Sequence, residues 1–340
     1  MKIEAQNPPH IRSRDTNATL MFDTVVALVP LYAMAVYFYG IRALALGIVG
    51  VLTSCISDML CCIAKHSVPN LRDLSAVVTG MIIPLLMPAS IRYSIVIVAV
   101  LFAILVAKQP FGGVGENLFN PAAAGMAFAI VCWPSEVLTY PMPFEKIPLV
   151  LSSSTVIRTG TSIAKALSLR GIPNNTLLDT LMGNVPGPMG ATNILVLLTC
   201  LLYLAVRRTI HIKAALSCIA GAAVTAILFP RAAWPGALYE LMGGMLLFAA
   251  VFMINDPVTS PKHTVPMMIY AAMTGVLVIV FRHLGSYEES VVFAILVMNS
   301  VVWPLDLFGE RLARIERRKL HEARRSQEIS QETESDLGDI

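Results

Sequence analysis

Residues 41–64 read IRALALGIVGVLTSCISDMLCCIA, with Arg42 near the start and Asp58 inside as the only charged side chains. A helix of about 20 predominantly apolar residues can cross the hydrocarbon layer of a bilayer, and this stretch has that length. The same reading recurs along the chain. Further apolar runs lie at 21–39, 74–89, 93–107, from Pro121 to 133, and at 194–206, 212–229, 238–254, 265–281 and 290–308. The chain has 340 residues, 56% hydrophobic and 14% charged, with a mean hydropathy of +0.70. Soluble domains carry about a quarter charged residues. The expectation is an all-α integral membrane protein with about ten transmembrane helices.

The net charge of +3 reflects loop asymmetry. No basic patch is interleaved with aromatics, so nucleic-acid binding is not expected. No cleavable leader is read, because the first twenty residues are polar and the run after them lacks a small-residue cleavage site. Cys55, Cys61, Cys62, Cys132, Cys200 and Cys218 all fall inside apolar runs without metal-ligand spacing. They read as buried, inert thiols, and no metal is assigned.

Ten spans put both termini on one side. With the termini in the cytoplasm, that side holds Lys2, Arg12, Arg14, Lys65, Arg72, Lys108, Arg207, Arg208, Lys213, Lys262 and the basic tail. The short outer loops hold Arg42, Arg92, Arg231 and Arg282. This follows the positive-inside rule. The chain then divides into a cytoplasmic N-terminal segment (1–20), a first five-helix half (21–133), an outer-face connection (134–192), a second five-helix half (193–308) and a charged cytoplasmic tail (309–340) that frays into disorder. The connection carries helix-like pieces at 162–169 and 176–181. An odd number of spans per half predicts two inverted repeats.

Three places break the helical pattern. Pro84 and Pro88 interrupt the short third span. Phe111-Gly112-Gly113-Val114-Gly115-Glu116-Asn117-Leu118-Phe119-Asn120-Pro121 needs irregular backbone, and Asn120-Pro121 reads as an N-cap followed by proline at the first helical position. Asp256-Pro257 reads as another helix start. Irregular backbone at membrane depth is tolerated only inside protein or along a polar cavity. Asp23, Asp58 and Glu240 lie within or near spans, where a carboxylate faces a cavity or a partner. Asp58 is the deepest, and is either an ion-path candidate or a paired structural carboxylate.

The connection ends in Gly183-Asn184-Val185-Pro186-Gly187-Pro188-Met189-Gly190-Ala191-Thr192-Asn193. Glycine and proline at this density preclude regular structure. Thr192 therefore sits at a loop-to-helix junction with an accessible hydroxyl. The spacing also suits an ordinary helix start capped by Thr192 or Asn193. From the residues alone, carrier, channel and redox subunit all remain open.

Several motifs in order carry a resemblance. They are Pro9-His10-Ile11-Arg12-Ser13, Asp73-Leu74-Ser75-Ala76-Val77-Val78-Thr79-Gly80, Phe111-Gly112-Gly113 with Asn117-Leu118-Phe119-Asn120-Pro121-Ala122, Gly183-Asn184-Val185-Pro186-Gly187, and Asp256-Pro257-Val258-Thr259-Ser260-Pro261. From about residue 8 to 308 the chain resembles the family that includes the D subunit of Rnf electron-transport complexes and the B subunit of the sodium-translocating NADH:quinone reductase. The resemblance implies a urea-transporter-like fold and flavin mononucleotide (FMN) attached by a phosphoester to Thr192. Met189 stands where the stricter attachment motif has serine or threonine. A second, non-covalent flavin (riboflavin) occurs in some members. The implied function is electron transfer between ferredoxin and NAD coupled to Na+ or H+ translocation, in the bacterial inner membrane, with Thr192 on the outer side. Implied partners are the other complex subunits and a flavin transferase, and no independent catalysis is expected. The alternative is a cofactor-free carrier or channel of the same fold.

Overall fold

The computed structural model describes residues 17–66, 73–113, 115–152, 155–232, 235–285, 289–315 and 317. Most of the expected N-terminal segment and of the tail lies outside them. The first half comprises α1 (Asn17–Tyr39), α2 (Ile41–Ala64), α3 (Ser75–Leu85), α4 (Tyr93–Phe102) and α5 (Pro121–Cys132). α4 continues through a π-helical turn, Ala103–Lys108, and a short 3₁₀ turn, Gln109–Phe111. The connection carries α6 (Pro134–Val137), the antiparallel two-residue strands β1 (Tyr140–Pro141) and β2 (Thr159–Gly160), α7 (Ile163–Ser168) and α8 (Leu177–Met182). The second half comprises α9 (Ile194–Val206), α10 (Ile212–Leu228), α11 (Gly236–Met242), α12 (Leu246–Phe252), α13 (Thr264–Leu284), α14 (Val291–Ser300) and α15 (Val302–Ile315).

Four helical segments are long and apolar enough to cross a membrane: α1, α2, Tyr93–Phe111 and α13. Counting α14 and α15, bent by 55°, as one broken span gives five. α3, α5, α9 and α10 are shorter apolar helices of 10–17 residues. The expected third span shortens to α3, because Pro88 pushes the residue before it out of the helical region. The expected eighth span divides into α11 and α12 around Gly243-Gly244, where Gly244 adopts φ +70. α3, α5 and α14 have 10–12 residues and so rise about 15–18 Å, roughly half of the ~30 Å hydrocarbon layer.

Broken helices leave backbone groups to be satisfied. Arg42, 1% exposed, answers the chain beyond α3: its guanidinium donates to the carbonyls of Ala89 (3.0 Å), Ile91 (2.7 Å) and Pro148 (3.2 Å). It is therefore a buried structural residue, not a loop residue. Outward, α2 leaves Ile48, Leu52, Ile56, Leu60 and Ile63 exposed at helical spacing. An apolar outer face over an interior that holds the charges is the pattern a lipid-facing protein requires.

Small residues allow close helix approach, as is common between membrane helices. A Cβ on Gly221 would lie 2.2 Å from the Ala272 carbonyl oxygen, and one on Gly275 would lie 2.1 Å from that of Cys218. α10 and α13 are thus in backbone contact. α2 and α3 meet likewise through Gly50 and Gly80. The halves join through α1 against α9 and α5 against α14. Asp23 of α1, 3% exposed, pairs with Arg207 at the end of α9 (3.1 Å) and accepts from the Thr209 hydroxyl (3.0 Å). The six cysteines are free, but only Cys200 and Cys218 are buried, and Cys132 is exposed. The expectation of uniform burial is corrected accordingly.

Gly275→Val should force α10 and α13 apart, at a cost of about 1–3 kcal/mol for overpacking. Thermal unfolding of the detergent-purified chain would show this as a lowered midpoint, and an unchanged midpoint would contradict the close contact.

Candidate functional site

The start of α5 anchors a polar chamber between the halves. Asn120 caps the helix as its residue type predicts, its side-chain oxygen accepting from the Ala123 N–H (3.0 Å), and Pro121 takes the first helical position. Asn120 also reaches the second half. Its backbone N–H donates to Asn299 Oδ1 (3.0 Å), and its amide nitrogen lies 3.4 Å from Asp256 Oδ2. Asn299, 1% exposed, donates in turn to the Thr259 carbonyl (3.0 Å) and the Tyr270 hydroxyl (2.9 Å). Asp256-Pro257 does not begin a helix. The Asp256 carboxylate accepts from the Val258 N–H (3.2 Å) and the Thr259 hydroxyl (2.9 Å), organising a turn in the manner of short acidic side chains.

The chamber beside these groups has about 70 Å³ of water-accessible space, several times the roughly 10–15 Å³ that one water needs. Ser75, Thr79, Lys108, Asn120, Asn255 and Asp256 are among its lining. Lys108, placed by sequence among the basic loop residues, is 1% exposed. It ends the π turn, whose extra residue per turn displaces the residues after it onto a different face. Its ammonium pairs with Asp58 (3.1 Å) and donates to the Ser75 hydroxyl (2.8 Å). Gln109 also donates to Asp58 (2.7 Å). Asp58 is thus paired with Lys108, which itself lines the chamber.

At the other end of α9, about 20 Å away by helix rise, the 183–193 loop is docked rather than loose. Met189 N–H donates to the Met87 carbonyl (3.1 Å) and Gly190 N–H to that of Leu85 (2.7 Å), closing the end of α3. Asn193 caps α9 by accepting from Val196 N–H (3.0 Å), while its amide donates to the Met182 carbonyl at the end of α8 (2.9 Å). Capping therefore falls to Asn193. Thr192 is 6% exposed, and its hydroxyl has no hydrogen-bond partner among the described residues. The expected accessible hydroxyl is corrected to a buried one, because docking onto α3 draws the loop inward. It borders a cleft of about 10 Å³, shared with Pro186, Gly187, Gly243, Gly244 and Glu289. Met189, 3% exposed, packs into the core instead of the cleft.

Behind this cleft lies a group of four buried charges. Arg231 pairs with Glu240, Arg282 lies 3.6 Å from Glu240 and 3.9 Å from Glu289, and all four side chains are at most 8% exposed. Arg282 donates to the carbonyls of Glu240 (2.6 Å) and Gly243 (3.0 Å) at the end of α11. Glu289 accepts from Met245 N–H (3.2 Å) at the start of α12. Arg282 and Glu289 thus complement the two sides of the helix break, cation on carbonyls and anion on an N–H, as the helix dipole favours. Sequence reasoning found Glu240 but took Arg231 and Arg282 as loop residues and passed over Glu289. Nothing local distinguishes Glu289 from its neighbour Glu288.

A family model described as the NQR2, RnfD, RnfE family matches residues 4–312. The chain is similar, at 30% identity over 305 residues, to the D subunit of the Na(+)-translocating ferredoxin:NAD(+) oxidoreductase complex of Acetobacterium woodii; the match covers 90% of this chain and 92% of that one. It is 28% identical over 316 residues to the proton-translocating counterpart of Clostridium ljungdahlii, covering 89% and 93%. Similarity to the D subunit of an ion-translocating oxidoreductase complex of Halorhodospira halophila is 30% over 320 residues, covering 86% and 90%.

Removing one member of a buried ion pair costs about 3–5 kcal/mol, because the other charge is left uncompensated. Asp58→Leu leaves the Lys108 ammonium, 1% exposed, without its counter-ion and should therefore lower stability by about 3 kcal/mol, and adding Lys108→Met should restore part of it. Heat denaturation of the two variants in detergent reads this coupling, and simply additive losses would argue against it.

Proposed function

Because this chain belongs to the NQR2, RnfD, RnfE family, we propose that it is the membrane redox subunit of a complex that transfers electrons between ferredoxin and NAD and couples this to Na+ or H+ translocation. The observation that carries the redox role is the Thr192 hydroxyl, buried and without a partner at the rim of a small cleft. A buried hydroxyl that makes no hydrogen bond is costly, and a covalent attachment there would remove the O–H that lacks an acceptor. The proposed group is FMN, held by a phosphoester to Thr192 Oγ1 and attached by a flavin transferase. When bound, it supplies electron transfer, while the protein supplies position and electrostatics.

The cleft as it stands is lined by Glu289 and otherwise by small or apolar residues, so the attached group would extend beyond it. The cleft volume of about 10 Å³ leaves room beside Thr192 for little more than the ester linkage, so the ring system would lie outside the cleft. Asn193 and the Met189 and Gly190 N–H groups fix the loop and hence the attachment point. Met189 contributes through packing, so its departure from the stricter motif does not alter the cleft lining. Electron donors and acceptors would belong to partner subunits, and the chain would not catalyse alone.

The same reading proposes two inverted five-helix halves in a urea-transporter-like arrangement. Its support is that like helices meet, the first of each half (α1 with α9) and the fifth of each half (α5 with α14). It also proposes a bacterial inner-membrane location with both termini in the cytoplasm and Thr192 outside. Burial of Arg42, Arg231 and Arg282 leaves Arg92 as the one exposed basic residue among the four assigned to the short outer loops, which supports that orientation. Asp58, with Lys108 as its counter-ion, is the proposed ion-path residue beside the chamber.

Co-expressed with a flavin transferase and run on a denaturing gel, the wild-type chain should fluoresce as a flavoprotein. Thr192→Val should abolish the band, whereas Thr192→Ser should retain it. A colourless wild-type chain would overturn the reading in favour of a cofactor-free carrier or channel.

A further inference from the structure

We propose that α15 lies in the surface of the bilayer as an amphipathic helix, its apolar stripe among acyl chains and its basic residues on anionic lipid headgroups. The inference uses the membrane fold alone and is independent of the redox reading. α15 leaves α14 at a bend of 55° and so leans away from the line of the span. Phe308, Leu312 and Ile315, all exposed, stand at i, i+4 and i+7 and share one face. Asp306, Glu310 and Arg314, at i, i+4 and i+8, form a charged stripe on roughly the opposite side, at about 100° per residue. Glu310 and Arg314 pair along it (3.2 Å). The exposed apolar surface begins before the bend, at Val297 and Val301, and continues through Trp303.

A third side of α15 is packed and fixes its rotation. Leu305 packs on the core, and Gly309 lies against the start of α13, where a Cβ would come within 2.6 Å of His263 and 2.8 Å of Pro266. Asp306 accepts from Lys262 N–H (2.9 Å). The apolar stripe therefore cannot turn inward. Charge indicates what covers it. From 309 to 325 the sequence holds seven arginines and lysines against three glutamates. Basic clusters beside a membrane span are drawn to anionic headgroups, and an amphipathic helix of this kind lies in the interface plane. Arg311, four residues before Ile315, shares the flank of the apolar stripe. Its long stem lets the guanidinium reach the headgroups while Ile315 stays among acyl chains.

The full chain provides the test, with its three tryptophans replaced by phenylalanine and reconstituted into phosphatidylcholine vesicles containing phosphatidylglycerol. Leu312→Trp should emit at shorter wavelength than a water-exposed indole and lose intensity to brominated acyl chains. Ile315→Trp reads the same face and serves if Leu312→Trp does not fold. Glu310→Trp should emit at longer wavelength and be quenched by aqueous iodide instead. High salt, or phosphatidylcholine alone, should weaken the quenching of Leu312→Trp by brominated chains. Leu312→Trp and Ile315→Trp unaffected by brominated chains would overturn the inference, showing a face that meets water if iodide quenches it and protein if iodide does not. Equal quenching in neutral and anionic vesicles would overturn the assignment to anionic headgroups. Neither result touches the flavin reading, which this measurement does not use.

Discussion

The helix breaks at the end of α3, at the start of α5 and between α11 and α12 lie among buried residues, and their free backbone groups must find partners there. An unpaired peptide group in such surroundings costs several kcal/mol. That demand explains why the polar residues of so apolar a chain converge on a few points. Met189 and Gly190 N–H groups complete the end of α3, Asn120 completes the start of α5, and Arg282 with Glu289 completes both sides of the α11–α12 break. Arg42 does the same for the chain beyond α3. Each partner lies far away in sequence except Asn120, which caps its own helix, so satisfying the breaks also ties distant segments of the chain together.

The buried ions follow from the same constraint. A lone ion in the interior would be prohibitive, and even a paired one barely offsets its desolvation. Asp23 with Arg207, Asp58 with Lys108 and the Arg231–Glu240–Arg282–Glu289 group are therefore weak evidence of extra stability. Their value is positional. The first locks α1 to α9, the second borders the chamber, and the third supports the break facing Thr192.

α9 relates these places to one another. Its first turn follows Thr192, and Leu204 near its last turn lines the chamber. The loop proposed to carry a redox group and the polar chamber are thus joined by one rigid element. A change at either end that moved α9 would be felt at the other, through the Asp23–Arg207 contact and the docked loop.

The sequence by itself determined the membrane class, the approximate positions of the helices, the short helices of the connection and the capping role of Asn120. These are local: run length, proline and glycine placement, and the chemistry of the capping side chain decide them within a few residues. Asn193 was legible to the same degree, as one of two possible caps. The sequence could not show that Lys108, Arg42 and Arg282 are buried, because a basic residue beside an apolar run looks the same whether it faces water or a partner across the fold. Nor could it show that Asp256 organises a turn instead of starting a helix, or that Thr192 is enclosed. Only the tertiary structure decided these: the burials depend on groups dozens of residues away, such as Leu85 for the 183–193 loop and Asp58 for Lys108, that meet when broken helices seek partners for their ends, and the Asp256 turn on contacts with Val258 and Thr259.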